Sequence, residues 1–196
     1  MVFVMGPRQS GKTTVAQEIV AQHSTATYLS WDNTNDRALI LQGTNAIAKQ
    51  ASLNTLQDNK PILCFDEIHK YAEWRDFLKG FYDSYPDKTS TLVTGSAMLD
   101  TFSRGGDSLM GRYFPFSFHP LSVAEIVHDN FSTGTLISQP KKIDDDAYNT
   151  LWQFGGYPDP YLKQSETFHR RWNKLRSQEL FQEDIRNLTR IHDIGR

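Results

Sequence analysis

Several features that would mark a protein class are scarce or missing. The 196 residues hold one cysteine, Cys64, so no disulfide can close within the chain. Its neighbours Ile62, Leu63 and Phe65 suggest a buried thiol in an apolar strand, and a reducing cytosol is the simplest setting for it. No stretch approaches the run of about 18 apolar residues that a membrane helix needs. The opening Met1–Gly6 stretch is too short for a secretion signal and no small-residue cleavage site follows it. A soluble, cytoplasmic protein with no membrane partner is expected. There is no basic excess either. With 21 Lys and Arg against 23 Asp and Glu, the net charge is −2 and the pI about 6.3, which argues against a dedicated basic nucleic-acid binder or a polybasic membrane-surface protein. His69, His119, His128, His169 and His192 show no metal-ligand spacing with one another or with Cys64, so zinc is not expected. Repeats and low-complexity tracts are absent.

What is present is ordinary for a folded chain: 38% hydrophobic and 22% charged residues lie far from the composition that keeps a chain disordered. The length allows one α/β domain with a smaller appendage, and not two large domains. Short apolar runs alternate with segments of helical period, the pattern of a parallel sheet covered by helices. The candidate strands are Val2–Met5, Thr27–Trp31, Pro61–Phe65, Thr91–Thr94 and Tyr113–Phe118. Tyr71, Trp74, Leu78, Phe81, Tyr82 and Tyr85 recur at spacings of three and four, which predicts an amphipathic helix whose aromatics belong to the core. Asp32–Asp36 predicts a capping loop before a helical segment Arg37–Leu41, with Gly43 as its stop. Beyond about residue 120 the strand signal ends, and Leu121–Asp129, Asp144–Phe154 and Glu166–Asn187 read as helices. The expected division is therefore 1–119 for the α/β core and 120–196 for a small helical unit.

Gly6-Pro7-Arg8-Gln9-Ser10-Gly11-Lys12-Thr13 satisfies G-x-x-x-x-G-K-[ST], with an apolar strand before it and the helical pattern Val15, Ala16, Ile19, Val20 after it. Glycines let the backbone wrap close to phosphate, and successive N–H groups with the helix N-terminus form an anion nest. Lys12 is suited to bridge the terminal phosphates, the Thr13 hydroxyl to hold Mg²⁺, and Thr14 to add a phosphate contact. Pro7 lacks an N–H, so the residues after it must complete the nest.

Ile62-Leu63-Cys64-Phe65-Asp66-Glu67 is an apolar strand that delivers two carboxylates at its C-terminal end, where open α/β sheets bind ligands. Asp66 suits the metal shell. Glu67 suits a general base for water attacking the γ-phosphate, because hydrolysis needs a carboxylate not committed to the metal. A helix N-cap pair is the plainer alternative for these two acids. Thr91-Leu92-Val93-Thr94-Gly95-Ser96 is a further strand ending in small polar residues, from which Ser96 can orient the attacking water. Asn59-Lys60 is followed by Pro61 and Ile62, so no N-K-x-D guanine reader is present.

The ordered combination Phe65-Asp66-Glu67-Ile68-His69-Lys70 with Trp74, Leu78-Lys79, Thr94-Gly95-Ser96, Leu109-Met110-Gly111-Arg112, Pro120-Leu121-Ser122 and Gly155-Gly156-Tyr157-Pro158 resembles the prokaryotic AAA+ ATPases that carry an extra C-terminal, nuclease-like domain. The resemblance spans almost the whole chain. It implies a P-loop NTPase fold of the AAA+ type with a five-stranded parallel sheet ordered 5-1-4-3-2 and a helical lid from about residue 120. It further implies Mg²⁺-dependent ATP binding and hydrolysis to ADP, Ser96 as the first sensor, and Arg112, with Arg104 as backup, as the arginine that enters a neighbouring subunit's site in a homo-oligomer. Arg170 and Arg171 are the candidates for a second sensor. The chain departs from the family at both ends, in the segment before the first strand and in the C-terminal domain, so a fragment or a degraded gene is expected.

Two further readings stand beside this one. Asp66-Glu67-Ile68-His69 spells a DExH box, but such a helicase needs a second RecA-like domain for which the helical remainder leaves no room. A nucleotide-gated interaction module with little hydrolysis, acting on an unidentified protein client, is the non-enzymatic alternative. Lys163, Arg170, Arg171, Lys174 and Arg176 surround Trp172 with only Glu166 opposing them. That patch fits a solvated helix face better than a nucleic-acid or acidic-partner surface.

Overall fold

Phe3 and Met5 alternate with less buried Val2 and Val4, and this short run forms β1 (Val2–Met5) inside a sheet rather than at its edge. In the computed structural model, which describes residues 1–55, 59–95, 109–128 and 139–180, it is joined by β2 (Ala26–Ser30), β3 (Ile62–Asp66), β4 (Ser90–Gly95) and β5 (Phe114–Ser117). All pairings are parallel and the strand order is β2-β3-β4-β1-β5. Counted from the other edge this is 5-1-4-3-2, the order that the resemblance implies. Because the strands run the same way, the segments that follow β1, β3 and β4 all leave from one edge of the sheet, the edge where such folds bind ligands.

The chain divides into two compact units, Met1–His119 and Pro120–Arg196. In the first, Leu63, Cys64 and Phe65 on β3 have no exposed surface, as a strand covered on both faces requires. Phe65 meets Phe81, a member of the predicted aromatic stripe, edge-on at 5.7 Å and Phe77, which the stripe did not include, at 5.6 Å, and these contacts seat α4 (Trp74–Ser84) on the sheet. The other helices of this unit are α1 (Lys12–Ala21), α2 (Thr34–Leu41) and α3 (Thr44–Gln50). The described residues of the second unit form α5 (Val123–Val127), α6 (Asp145–Phe154), α7 (Pro158–Lys163) and α8 (Glu166–Glu179). Phe154, Pro160 and Trp172 are buried there. Gly156 is needed for close approach: a Cβ at that position would lie 2.2 Å from the Leu121 carbonyl oxygen, whose own N–H donates to Gly156 O at 2.7 Å. Among the described residues no helix is long and apolar enough to cross a membrane.

Several boundaries differ from expectation for local reasons. α2 begins at Thr34 rather than Arg37, because the Asn33 side chain accepts from the N–H groups of Asn35 and Asp36 and caps the helix early. Gly43, at φ 93°, precedes a helix not predicted, α3, instead of simply ending α2. The aromatic helix starts at Trp74; a 3₁₀ turn, Ile68–Lys70, separates it from β3. Pro158 opens α7, also not predicted, at a first-turn position where its missing N–H costs nothing.

Candidate functional site

The loop after β1 is shaped by residues that tolerate unusual backbone. Gly6 is buried, and a Cβ there would lie 1.9 Å from the Phe118 carbonyl oxygen, so no other residue fits without moving backbone. Gln9 and Gly11 take positive φ values of 63° and 102°. Ser10 Oγ donates to Pro7 O at 2.8 Å and closes the loop on itself. Gly11 is the N-cap of α1, no side chain caps its first-turn N–H groups, and no acid stands in that turn. The helix start is therefore electropositive and its donors are left for an anion. Lys12 is buried, with Nζ donating to Gly6 O at 3.0 Å and Pro7 O at 2.7 Å. Its ammonium is thus held inside the loop, beside the same backbone.

Asp66, at the end of β3 and 3% exposed, collects three hydroxyl donors from three other elements. Thr13 Oγ1, in the first turn of α1, lies 3.2 Å from both carboxylate oxygens. Tyr28 OH donates to Oδ2 at 2.7 Å, and Thr94 Oγ1 donates to Oδ1. Strand register explains the convergence: Tyr28 pairs with Cys64, two residues before Asp66, and Val93, the neighbour of Thr94, pairs with Phe65. Burial, then the hydrogen bond and charge of Asp66, push the Tyr28 phenol well above its ordinary pKa, so it serves as a donor. Thr13 is exposed, which leaves its hydroxyl open to the loop side. A hydroxyl and a carboxylate side by side next to a phosphate nest form a hard oxygen set suited to Mg²⁺. Among the described residues no three His, Cys, Asp or Glu side chains come together to hold a metal ion.

Glu67 follows immediately, at φ 55°, an unusual conformation for a non-glycine residue. It stands at the N-cap of the 3₁₀ turn but makes no side-chain cap bond, so the capping alternative is not what the carboxylate does. Instead Glu67 Oε2 lies 3.3 Å from Lys70 Nζ and 3.8 Å from His69 Nε2. Lys70 also binds Asp32 at 2.6 Å, and Trp31 stacks on Tyr71 at 4.7 Å, which ties the end of β2 to this turn. Burial works against the Lys70 charge, yet its bond to Asp32 and the charge of Glu67 outweigh that and raise its pKa. His69 is held below its ordinary value chiefly by burial, with Lys70, Arg8 and Lys12 adding to the effect and Glu67 opposing it. Two carboxylates thus leave the end of β3 in different settings: Asp66 enclosed by hydroxyls, Glu67 braced by a lysine.

The remaining predicted residues fall as follows. Pro7, Arg8 and Gln9 lie on the loop and Thr14 is exposed in the first turn of α1. Ser96 and Arg104 lie outside the described residues. Arg112 precedes β5, at the end of the sheet away from the Gly6 loop: Val2, the start of β1, pairs with Phe114. It makes a two-pronged ion pair with Asp83, Nε to Oδ1 at 2.9 Å and Nη2 to Oδ2 at 3.2 Å. It therefore does not serve the loop of its own chain. Arg170 and Arg171 are exposed on α8. Tyr28 and the Asp32–Lys70 brace were not predicted. Thr94 was singled out only within its motif; a polar threonine facing the carboxylate strand was the available signal.

Compared with known proteins, residues 1–127 match the family model described as an AAA domain. No curated protein matches the chain.

Proposed function

The chain belongs to the AAA domain family, and from that premise we propose that its first unit binds Mg²⁺-ATP on the loop Gly6–Thr14 and hydrolyses it to ADP and phosphate. The observation that carries the reading is the meeting of Thr13 with Asp66 at 3.2 Å beside the buried Lys12, since those residue types are the ones that hold a metal and a terminal phosphate. The N–H groups of the loop and of the first turn of α1 hold the phosphates, and Lys12 turns its ammonium from the loop carbonyls to the terminal ones. Thr13 and Asp66 hold the cation. Mg²⁺, when bound, offsets the negative charge of the β- and γ-phosphates. Glu67 accepts the proton of the attacking water, a role that suits a carboxylate outside the hydroxyl cluster around Asp66. Ser96 orients that water. The second unit acts as the lid.

Arg112 completes a neighbouring copy's site in this reading, after exchanging Asp83 for the γ-phosphate of that neighbour. The same ion pair favours a second reading, in which Arg112 stays with Asp83 and the chain is a nucleotide-gated interaction module with little turnover. ATP turnover per subunit, measured over a wide range of protein concentration alongside binding of a fluorescent ATP analogue, separates the two. A rate that climbs with concentration and disappears in Arg112→Ala supports the shared site. Tight, Mg²⁺-dependent binding without turnover at any concentration supports the module. Absence of binding refutes both.

A further inference from the structure

We propose that Tyr28 is a positioning residue for the divalent cation: its hydroxyl fixes the Asp66 carboxylate in the orientation in which that carboxylate and Thr13 hold the ion. The proposal rests on the reading that Thr13 and Asp66 hold Mg²⁺ beside a bound nucleotide, and it does not depend on hydrolysis.

An aspartate carboxylate turns freely about its last side-chain bond, whose torsion is broad, so Asp66 needs outside partners to keep one orientation. Its two oxygens offer about four lone-pair sites. Tyr28 OH takes one on Oδ2 at 2.7 Å, and Thr94 Oγ1 takes one on Oδ1. These donors come from β2 and β4, the strands on either side of β3, so the carboxylate is gripped across its width. Thr13 makes a different contact. Its Oγ1 lies 3.2 Å from both oxygens, longer than the about 2.5–3.0 Å of an ordinary O–H···O bond, and one hydroxyl proton cannot serve both at once. The strand donors therefore set the orientation, and the slack contact with Thr13 marks the edge left for a cation.

Strand register shows why a tyrosine does this. The residue beside Asp66 on β2 is Ser30, whose hydroxyl accepts from the Asp32 N–H at 3.4 Å. Tyr28 stands on the same face of the sheet two residues earlier, about 7 Å further back along the strand. Only a long side chain spans that offset, and tyrosine spans it with a rigid ring and few torsions to immobilise. The phenol is held from its other side too. It takes a hydrogen bond from the side chain of Gln17, one helical turn after Thr13 on α1. Tyr28 thus ties β3 to the same helix that carries Thr13. Its ring is half-buried and lies outside the hydrophobic core, so the hydroxyl, more than packing, joins it to Asp66.

Hydrogen bonds to a metal-holding carboxylate orient it for the ion, and loss of such a partner typically costs about 10–100-fold in metal affinity. Mg²⁺ is the cation most sensitive to that loss, because it demands near-ideal ligand geometry. Without the Tyr28 hydroxyl, Oδ2 keeps only the slack contact with Thr13, and the carboxylate is free to swing about the Thr94 bond.

Binding of a fluorescent, non-hydrolysable ATP analogue to the full chain, measured in saturating Mg²⁺ and again in EDTA for wild type and Tyr28→Phe, tests the proposal. The ratio of the two dissociation constants reports how tightly the nucleotide-bound site holds the cation. In Tyr28→Phe, which keeps the ring and removes only the hydroxyl, the affinity in EDTA should equal that of wild type and the gain from Mg²⁺ should shrink about tenfold. Weakening by the same factor in Mg²⁺ and in EDTA would reduce Tyr28 to a structural role and overturn the proposal. An undiminished gain from Mg²⁺ in Tyr28→Phe overturns it as well, and leaves the Mg²⁺-ATP reading standing. A wild type that binds no analogue, or gains nothing from Mg²⁺, refutes that reading and the proposal together.

Discussion

Two glycine-to-alanine substitutions are expected to act with opposite signs, although the chemical change is identical. At Gly80, in the middle of α4, an added Cβ meets nothing within 4 Å. Replacing an exposed helical glycine reduces the freedom of the unfolded chain, so Gly80→Ala should stabilise by about 0.5–1 kcal/mol. At Gly6 the added Cβ lies 1.9 Å from the Phe118 carbonyl oxygen, against the 3.0 Å below which real Cβ contacts essentially never fall. The obstacle is backbone, so no rotamer change relieves it. The loop or the end of β5 must shift by about 1 Å, which strains the hydrogen bond from Phe118 N–H to Met5 O. Overpacking of about 1–3 kcal/mol plus much of one hydrogen bond gives a loss of about 2–4 kcal/mol. Urea denaturation followed by tryptophan fluorescence measures both, since Trp74 lies in the core of this unit. Equal stability of Gly6→Ala and wild type would refute the close approach of the loop to β5. A loss of stability in Gly80→Ala would refute the reading of that helix face as open.

Other expectations concern buried groups around the same sheet. Burial, with the charge of Asp66, pushes the Cys64 thiol up to about 12, so iodoacetamide at pH 8 should leave it unmodified in the folded protein and alkylate it in urea. Tyr28→Phe removes the 2.7 Å hydrogen bond to Asp66 and should cost about 1 kcal/mol of unfolding free energy measured by urea denaturation, with Thr94→Val costing at least as much because Thr94 is fully buried. His69 has a folded pKa below the ordinary 6.5, so the unfolded chain binds more protons in acid: stability should be intact above about pH 6.5 and fall as pH drops below it. A series of melting temperatures across pH reads this, and His69→Gln should flatten the decline; an equal decline in the variant would contradict the assignment.

Local chemistry explains which features could be read from the sequence. The Gly6–Thr13 spacing and the two acids after Phe65 are contiguous signals, and both lie where a strand ends on the sheet edge. The order of strands came from the resemblance and not from periodicity, which has no term for which strand lies beside which. α3 was missed because Thr44–Gln50 is short and its apolar residues Ala46, Ile47 and Ala48 are consecutive rather than spaced by three or four. α7 was missed because two prolines in six residues look like loop, and only the position of Pro158 at the helix start makes them compatible. The hydroxyls around Asp66 and the Asp32–Lys70 brace join residues that are 28 to 53 positions apart. Register sets the Tyr28 and Thr94 partners, and the placing of α1 and of the 3₁₀ turn against the sheet sets Thr13 and Lys70. The cations around Trp172 read as a solvated helix face, and Arg170, Arg171 and Lys174 are exposed, while the Trp172 ring, on which the charge pattern is silent, packs against Tyr157.

The assignment of Glu67 as the base is tested most directly by ATP binding and steady-state turnover measured together on wild type, Glu67→Gln and Lys12→Ala. Glu67→Gln should bind Mg²⁺-ATP as tightly as wild type and lose turnover by at least about a hundredfold, the usual worth of a positioned base, while Lys12→Ala should lose binding. Turnover by Glu67→Gln equal to that of wild type would contradict the account.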